Sequence, residues 1–131
     1  MATRASIKFS DKEGNFIANV YHHYDGHPEY LGKKLIELTT APIVNGLGLP
    51  KPALGETFNG MGCLVASVIA KLKDAPGMVY LHTEDDFGNC GENYLYEVIE
   101  NSYVTGVEVF VDMNLDGELE LVKEILGNFD N

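Results

Sequence analysis

Three things are scarce in this chain. It holds two cysteines, it has no apolar run near the roughly 18 residues that cross a bilayer, and beyond residue 75 its only Lys or Arg is Lys123. The first scarcity leaves no disulfide framework to read. Cys63 lies in the apolar stretch Met61–Leu72, where it is expected to act as a small buried hydrophobe, and Cys90 lies in the turn-like GNCGEN. The second argues against a membrane partner. The opening residues, MATRASIKFSDKEG, also lack the positive, apolar, small-residue order of an export signal, so a cytoplasmic location is expected. The third says most. Residues 1–75 hold eight Lys or Arg against seven Asp or Glu, whereas residues 76–131 hold Lys123 against thirteen acids, so nearly all of the net charge of −11 is C-terminal. Phosphates reward clustered Lys and Arg, so direct binding of nucleic acid is disfavoured. Such acidity steers a basic partner, or serves only as a solvated face.

What is present suits a single domain, residues 1–131, with one core: 45% of the side chains are hydrophobic and 10% aromatic. Arg4–Phe9 alternates as a strand, the turn Asp11–Gly14 follows, and Phe16–Tyr24 reads as a second strand. Pairing Phe9 with Phe16 would set Ala5, Ile7 and Phe9 against Val20 and Ala18 on an apolar face. It would place Arg4 opposite Tyr21 on the other face, with His23 beyond it. Asp25 and Gly26 form a turn pair, and Pro28 then suits the first position of a helix, where its missing N–H would be unbonded anyway. Glu29 falls in the first turn, where negative charge suits the helix dipole, and Leu31, Leu35 and Leu38 give a buried stripe over Pro28–Leu38. A Pro- and Gly-rich loop is expected from about Thr40 to Asn59, then a helix over Met61–Lys73. Three strands follow, Met78–Thr83, Tyr94–Asn101 and Val107–Asp112, the last two joined at Thr105 and Gly106, and a final helix runs over about Leu119–Leu126. The expected fold is α+β: an antiparallel sheet of about five strands with two to three helices packed on one face.

The stretch VYHHYDGHPEYLG, from Val20 to Gly32, concentrates the chemistry. His23, Asp25 and His27 alternate and could converge on a divalent ion, and His23 with Asp25 and the distant His82 would make a two-histidine, one-carboxylate triad. Gly26 and Pro28 argue that the strand has ended before His27, so no metal is assigned. Acid–base work by a histidine beside a carboxylate lacks an identifiable nucleophile, because Ser6, Ser10, Ser67 and Ser102 lie in no nucleophile-elbow context. The third reading is a ligand pocket made of Arg4, Tyr21, His23, Tyr24, Asp25, Pro28 and Glu29. Arginine supplies a fork for phosphate, tyrosines stack on a base or ribose, and a helix N-terminus favours an anion. Its structural alternative pairs Arg4 with Asp25 or Glu29 and uses His23 to cap the corner.

Thr3 and Arg4 opening a first strand, with Tyr21, His22, His23, Tyr24, Asp25, Gly26, His27, Pro28 and Glu29 before a helix, resemble a group of small proteins encoded by tailed bacteriophages and prophages. That group carries a Thr-Arg strand and a Tyr-x-His-aromatic-Asp-Gly-aromatic-Pro motif. The likeness covers about the first quarter of the chain and departs at His27, where an aromatic is usual. It implies an accessory role inside an infected cell.

A second motif, Asp112, Asn114, Asp116 and Gly117, matches the first half of a calcium-binding loop, but Lys123 stands where the bidentate glutamate belongs and a strand precedes it, so an ordinary acidic turn is expected. The leading expectation is thus a non-enzymatic anti-defence or host-modulating protein that sequesters a nucleotide-like small molecule without a cofactor. The alternative is an acidic inhibitor that uses Glu97, Glu100 and Glu108 to occupy a basic groove on a host protein. A metal-assisted hydrolase is the third reading, and association of copies of the chain is compatible with each.

Overall fold

Alternation in the first twenty residues builds the centre of the molecule. A computed structural model describes residues 2–40, 43–44, 58–101 and 106–129. In it β1 (Ala5–Ser10) and β2 (Phe16–His22) form an antiparallel hairpin. The Asp11 carboxylate closes its turn by accepting the backbone N–H groups of Glu13 and Asn15 at 3.0 and 2.8 Å. The register differs from the expected one by two residues. Ser6, not Arg4, faces Tyr21, and Phe9 faces Ala18, because an irregularity between Phe9 and Ser10 pairs Ser10 with Phe16. An even shift leaves every side chain on its expected face, so Ala5, Ile7, Phe9, Ala18 and Val20 still share one side.

The remaining strands are β3 (Ile43–Val44), β4 (Phe58–Asn59), β5 (Val79–His82), β6 (Tyr94–Glu100), β7 (Val107–Asp112) and β8 (Glu120–Leu121). Among the described residues six of the strands form one mixed sheet in the order β5-β2-β1-β6-β7-β8, and β3 pairs with β4 in parallel apart from it. The expected antiparallel sheet of about five strands is corrected at two places: Glu120 and Leu121, expected to open the last helix, add a sixth strand against β7, and β6 lies parallel to β1. The reason for the parallel pair is the β5–β6 connection. It does not turn back as a hairpin; residues 83–93 cross β2 and β1 so that β6 lands on the far side of β1. Most of the expected 40–59 loop, and Thr105 of the β6–β7 turn, lie outside the described residues; Gly106 is described and has φ +84°.

Three helices among the described residues cover one face. The segment after β2 begins with a wide π-helical turn, Pro28–Gly32, and continues as α1 (Lys33–Thr39); α2 is Gly60–Leu72 and α3 is Val122–Phe129. Pro28 occupies the first turn and Leu31 and Leu35 are buried, as the helical spacing predicts. A side chain at Gly32 would put its Cβ 2.9 Å from Val122 Cγ1, so its lack of one lets the wide turn press against α3. Ile7, Phe9, Val20, Val98 and Val111 from the sheet meet Leu35, Leu64, Val68 and Val122 from the helices, all fully buried. At about 25 cal/mol per Å² of apolar surface, this single core is the main support of the fold. Cys63, expected to be buried, is exposed: the buried side of α2 is Met61, Leu64, Val65, Val68 and Leu72, and Cys63 falls on the opposite side.

Candidate functional site

Tyr21, His22 and His23 are consecutive, and the pleat sends them to opposite faces of the sheet. Tyr21 and His23 stand on the face without helices. There the Tyr21 hydroxyl and His23 Nδ1 are hydrogen-bonded at 2.9 Å. The next strand out, β5, adds Tyr80 and His82 to the same face, since Tyr80 pairs with Tyr21 and His82 with Asn19. Tyr21 and His82 stack with ring centroids 5.1 Å apart and planes 11° from parallel, while Tyr80 lies 6.0 Å from Tyr21. Tyr24 meets the His23 ring edge-on at 4.7 Å. Tyr80 and Tyr24 are each 47% exposed, so this aromatic group presents ring surface to solvent.

Residues 83–93 fold over the adjoining part of this face, held by Glu92. Its carboxylate accepts Ser6 Oγ–H at 2.7 Å, Gly88 N–H at 2.8 Å and Cys90 N–H at 2.7 Å. Burial is the largest single influence and pushes its pKa up. The hydrogen bonds from Ser6 and from the backbone of Glu92, Cys90 and Gly88 together outweigh it and hold the carboxyl below its ordinary range. Thr83 donates from its N–H and its hydroxyl to Asp86 Oδ2 at 3.1 and 3.0 Å, and Asn19 Nδ2 donates to the Thr83 carbonyl at 2.9 Å. Cys90 Sγ lies 3.3 Å from the Asp86 carbonyl and 3.5 Å from His82 Nδ1. Burial, with Glu92 and Asp86 nearby, raises its thiol pKa, the reverse of what a thiolate nucleophile needs.

The cations on this face have different fates. Lys8 is occupied, paired with Glu97 at 3.7 Å and lying 5.0 Å from the centre of the Phe87 ring. Arg4 is exposed, and among the described residues it has no carboxylate partner. Its Nη1 passes over Gly91, where an added Cβ would sit 3.1 Å away. Burial raises the Tyr21 pKa, against the opposing pull of the Arg4 charge, so the ring carries a phenol beside a guanidinium.

The sequence-predicted residues therefore separate. Arg4, Tyr21 and His23 come together, with Tyr24 beside His23. Asp25 and Glu29 line a cleft on the helix-covered side with His22, and Pro28 is fully buried. The chain passes between the faces at Asp25, which has φ +55°, a left-handed conformation that Asp tolerates better than most residues. Gly26 follows under the start of β1, where a Cβ would meet the Thr3 carbonyl at 2.9 Å. Its own carbonyl accepts the buried Tyr96 hydroxyl at 2.7 Å. His27 is bonded to Thr3 Oγ1 at 3.0 Å and faces Tyr94, so it buttresses the turn. No three His, Cys, Asp or Glu side chains among the described residues gather as a metal site.

The acidic alternative is also rearranged. Glu97 and Glu108 share the open face, but alternation puts Glu100 on the other, where it accepts the Lys12 N–H at 3.2 Å. The half calcium loop is a self-capped turn. Asp112 is buried and accepts the N–H groups of Asp116 and Gly117 at 3.1 and 2.8 Å.

Tyr80 and Glu92 were not singled out by sequence reasoning, which weighed His82 only as a distant metal ligand and Cys90 only as a turn residue. The available signal was Tyr80-x-His82, whose period of two puts both rings on one face of a strand. Compared with protein-family models, curated proteins and solved structures, the chain matches none of them. Among the described residues no helix is long and apolar enough to cross a membrane.

Proposed function

We propose that the chain is a non-catalytic binding protein that takes a nucleotide-like molecule on the open face of its sheet. The observation that carries this reading is an exposed arginine with no acidic partner among the described residues, beside a stacked Tyr21–His82 pair flanked by two half-exposed tyrosines. A guanidinium forks onto phosphate oxygens. Exposed aromatic faces accept a planar base, worth about 1–3 kcal/mol per stacked base. The raised Cys90 thiol pKa supports binding over nucleophilic catalysis. With the phage resemblance of the first strand and the following motif, the reading becomes sequestration of a nucleotide signal in the cytoplasm of an infected cell.

Calorimetry with linear and cyclic mono- and dinucleotides tests this. Saturable binding of at least one, weakened about tenfold or more by Arg4→Ala, is the expected result, since a hydrogen bond to a charged group contributes about 1.5–3 kcal/mol. Tyr80→Ala should weaken binding as well. Absence of binding across the panel, or full affinity in Arg4→Ala with an unchanged circular dichroism spectrum, would contradict the proposal.

A further inference from the structure

The main sheet ends at β8, and among the described residues no further strand covers its outer edge. Pairing of Phe110 with Leu121, and of Val111 with Glu120, decides how that edge is dressed. Val111 is buried under the helices, so alternation sends Glu120 to the side of α3 and Leu121, with Phe110, to the open face. A groove of about 420 Å³ results. Phe110, Leu119 and Leu121 line it from the sheet, and Glu120, Glu124 and Ile125 from the side of α3. Leu119 is 39% exposed, and Phe110, Leu121 and Ile125 are only half-buried, so four apolar side chains meet solvent along one strand edge.

Backbone and charge together identify the occupant. A bare strand edge accepts another extended chain through main-chain hydrogen bonds, and the side chains of that chain fall alternately to the two faces. The groove lining carries two carboxylates and no basic side chain, and neither Glu120 nor Glu124 is in an ion pair with another described residue. A second copy docked edge to edge would bring four such carboxylates together, and a nucleic acid would add phosphates to them, so both are disfavoured. A segment that alternates apolar and basic residues satisfies both sides of the edge at once. We propose that the β8 edge docks an extended segment of a partner protein, its apolar side chains on Phe110, Leu119 and Leu121 and its Lys or Arg side chains on Glu120 and Glu124. The thirteen acids of residues 76–131 would speed the approach of such a partner. Because β5 and β8 are opposite ends of the sheet, this surface is independent of the nucleotide reading.

The probe is the capped peptide acetyl-Lys-Leu-Lys-Leu-Lys-amide, titrated into the full chain at about 0.15 M salt, where screening confines general attraction to an acidic protein to roughly 8 Å. Binding is followed by the backbone-amide and methyl signals of the protein. One saturable site that moves the Leu119, Glu120, Leu121 and Ile125 signals is expected. The control acetyl-Lys-Ser-Lys-Ser-Lys-amide, with the same charge and no apolar side chains, should bind about tenfold or more weakly. Glu120→Gln/Glu124→Gln should weaken the leucine peptide about threefold or more, and so should Leu119→Ala, which leaves the charge untouched. All three substitutions fall on exposed side chains, so the variants keep the fold. Four results would overturn the proposal: equal affinity for the serine peptide, full affinity in both variants, peptide-induced shifts away from β8, or groove signals that move with protein concentration in the absence of peptide, which would assign the edge to a second copy.

Discussion

His22 and His23 are chemically identical neighbours placed on opposite sides of one sheet. His23 is half-buried and bonded to the Tyr21 hydroxyl; His22 is buried with one ring nitrogen unpartnered. Around His23 the chain gathers rings and an exposed guanidinium, and around His22 it gathers carboxylates. The difference comes from the pleat alone, so a one-residue change of register would exchange the two environments. The two faces also differ in what holds them. Helix packing supports one, and a polar segment tied down by one buried carboxylate covers part of the other.

The largest effect should come from the helix-covered side. Phe9 is fully buried at its centre, and Phe9→Ala should cost about 3–5 kcal/mol in chemical denaturation. A loss below about 1 kcal/mol would mean that the helices do not pack on β1 as described. Next is Glu92→Ala, which leaves Ser6 Oγ–H and two backbone N–H groups without their acceptor. A cost of about 3 kcal/mol is expected, with Glu92→Gln milder because it keeps one acceptor oxygen. Because the folded carboxyl titrates below its ordinary value of 4.5, its contribution is present above that pH and is lost as pH falls through the lower folded value. Equal stability of wild type and Glu92→Ala at neutral pH would break the account of how residues 83–93 are fastened.

Gly26→Ala should cost about 1–3 kcal/mol, since its Cβ would press on the Thr3 carbonyl and on Ala5, and thermal melts would show it. The smallest effect is the most discriminating. His22 has a folded pKa below 6.5, so the unfolded chain binds its proton more readily. Stability from a neutral His22 is complete above pH 6.5 and is lost as pH falls through the folded pKa. The stability gap between wild type and His22→Gln should therefore narrow between pH 7.5 and 5, and a gap independent of pH would show that the ring is not held neutral.

How far the sequence foretold all this follows from the range of each interaction. The hairpin faces, the turn at Asp25 and Gly26, Pro28 at a helix start and the buried side of α2 rest on contacts a few residues apart, and they were legible. The two-residue register offset was hidden in the irregularity beside Ser10, although its even size left the faces intact. The parallel β1–β6 pair was not legible, because it joins segments far apart in the chain, Ala5 pairing with Tyr94. For the same reason the cluster was only half foreseen. Alternation puts Tyr21 and His23 together, but nothing local says that β5 will bring Tyr80 and His82 beside them, or that a left-handed Asp25 will carry Glu29 to the other face. Cys63 was misplaced because an apolar run does not by itself reveal which side of a helix is buried.

The most direct measurement records the aromatic-ring spectra of the protein while the tightest-binding nucleotide is added. The account predicts that the Tyr80, His82 and Tyr21 signals move together and saturate while His22 stays in place. Movement of His22 and Tyr30 with Tyr80 and His82 unchanged would contradict it and put the nucleotide in the cleft beneath the helices.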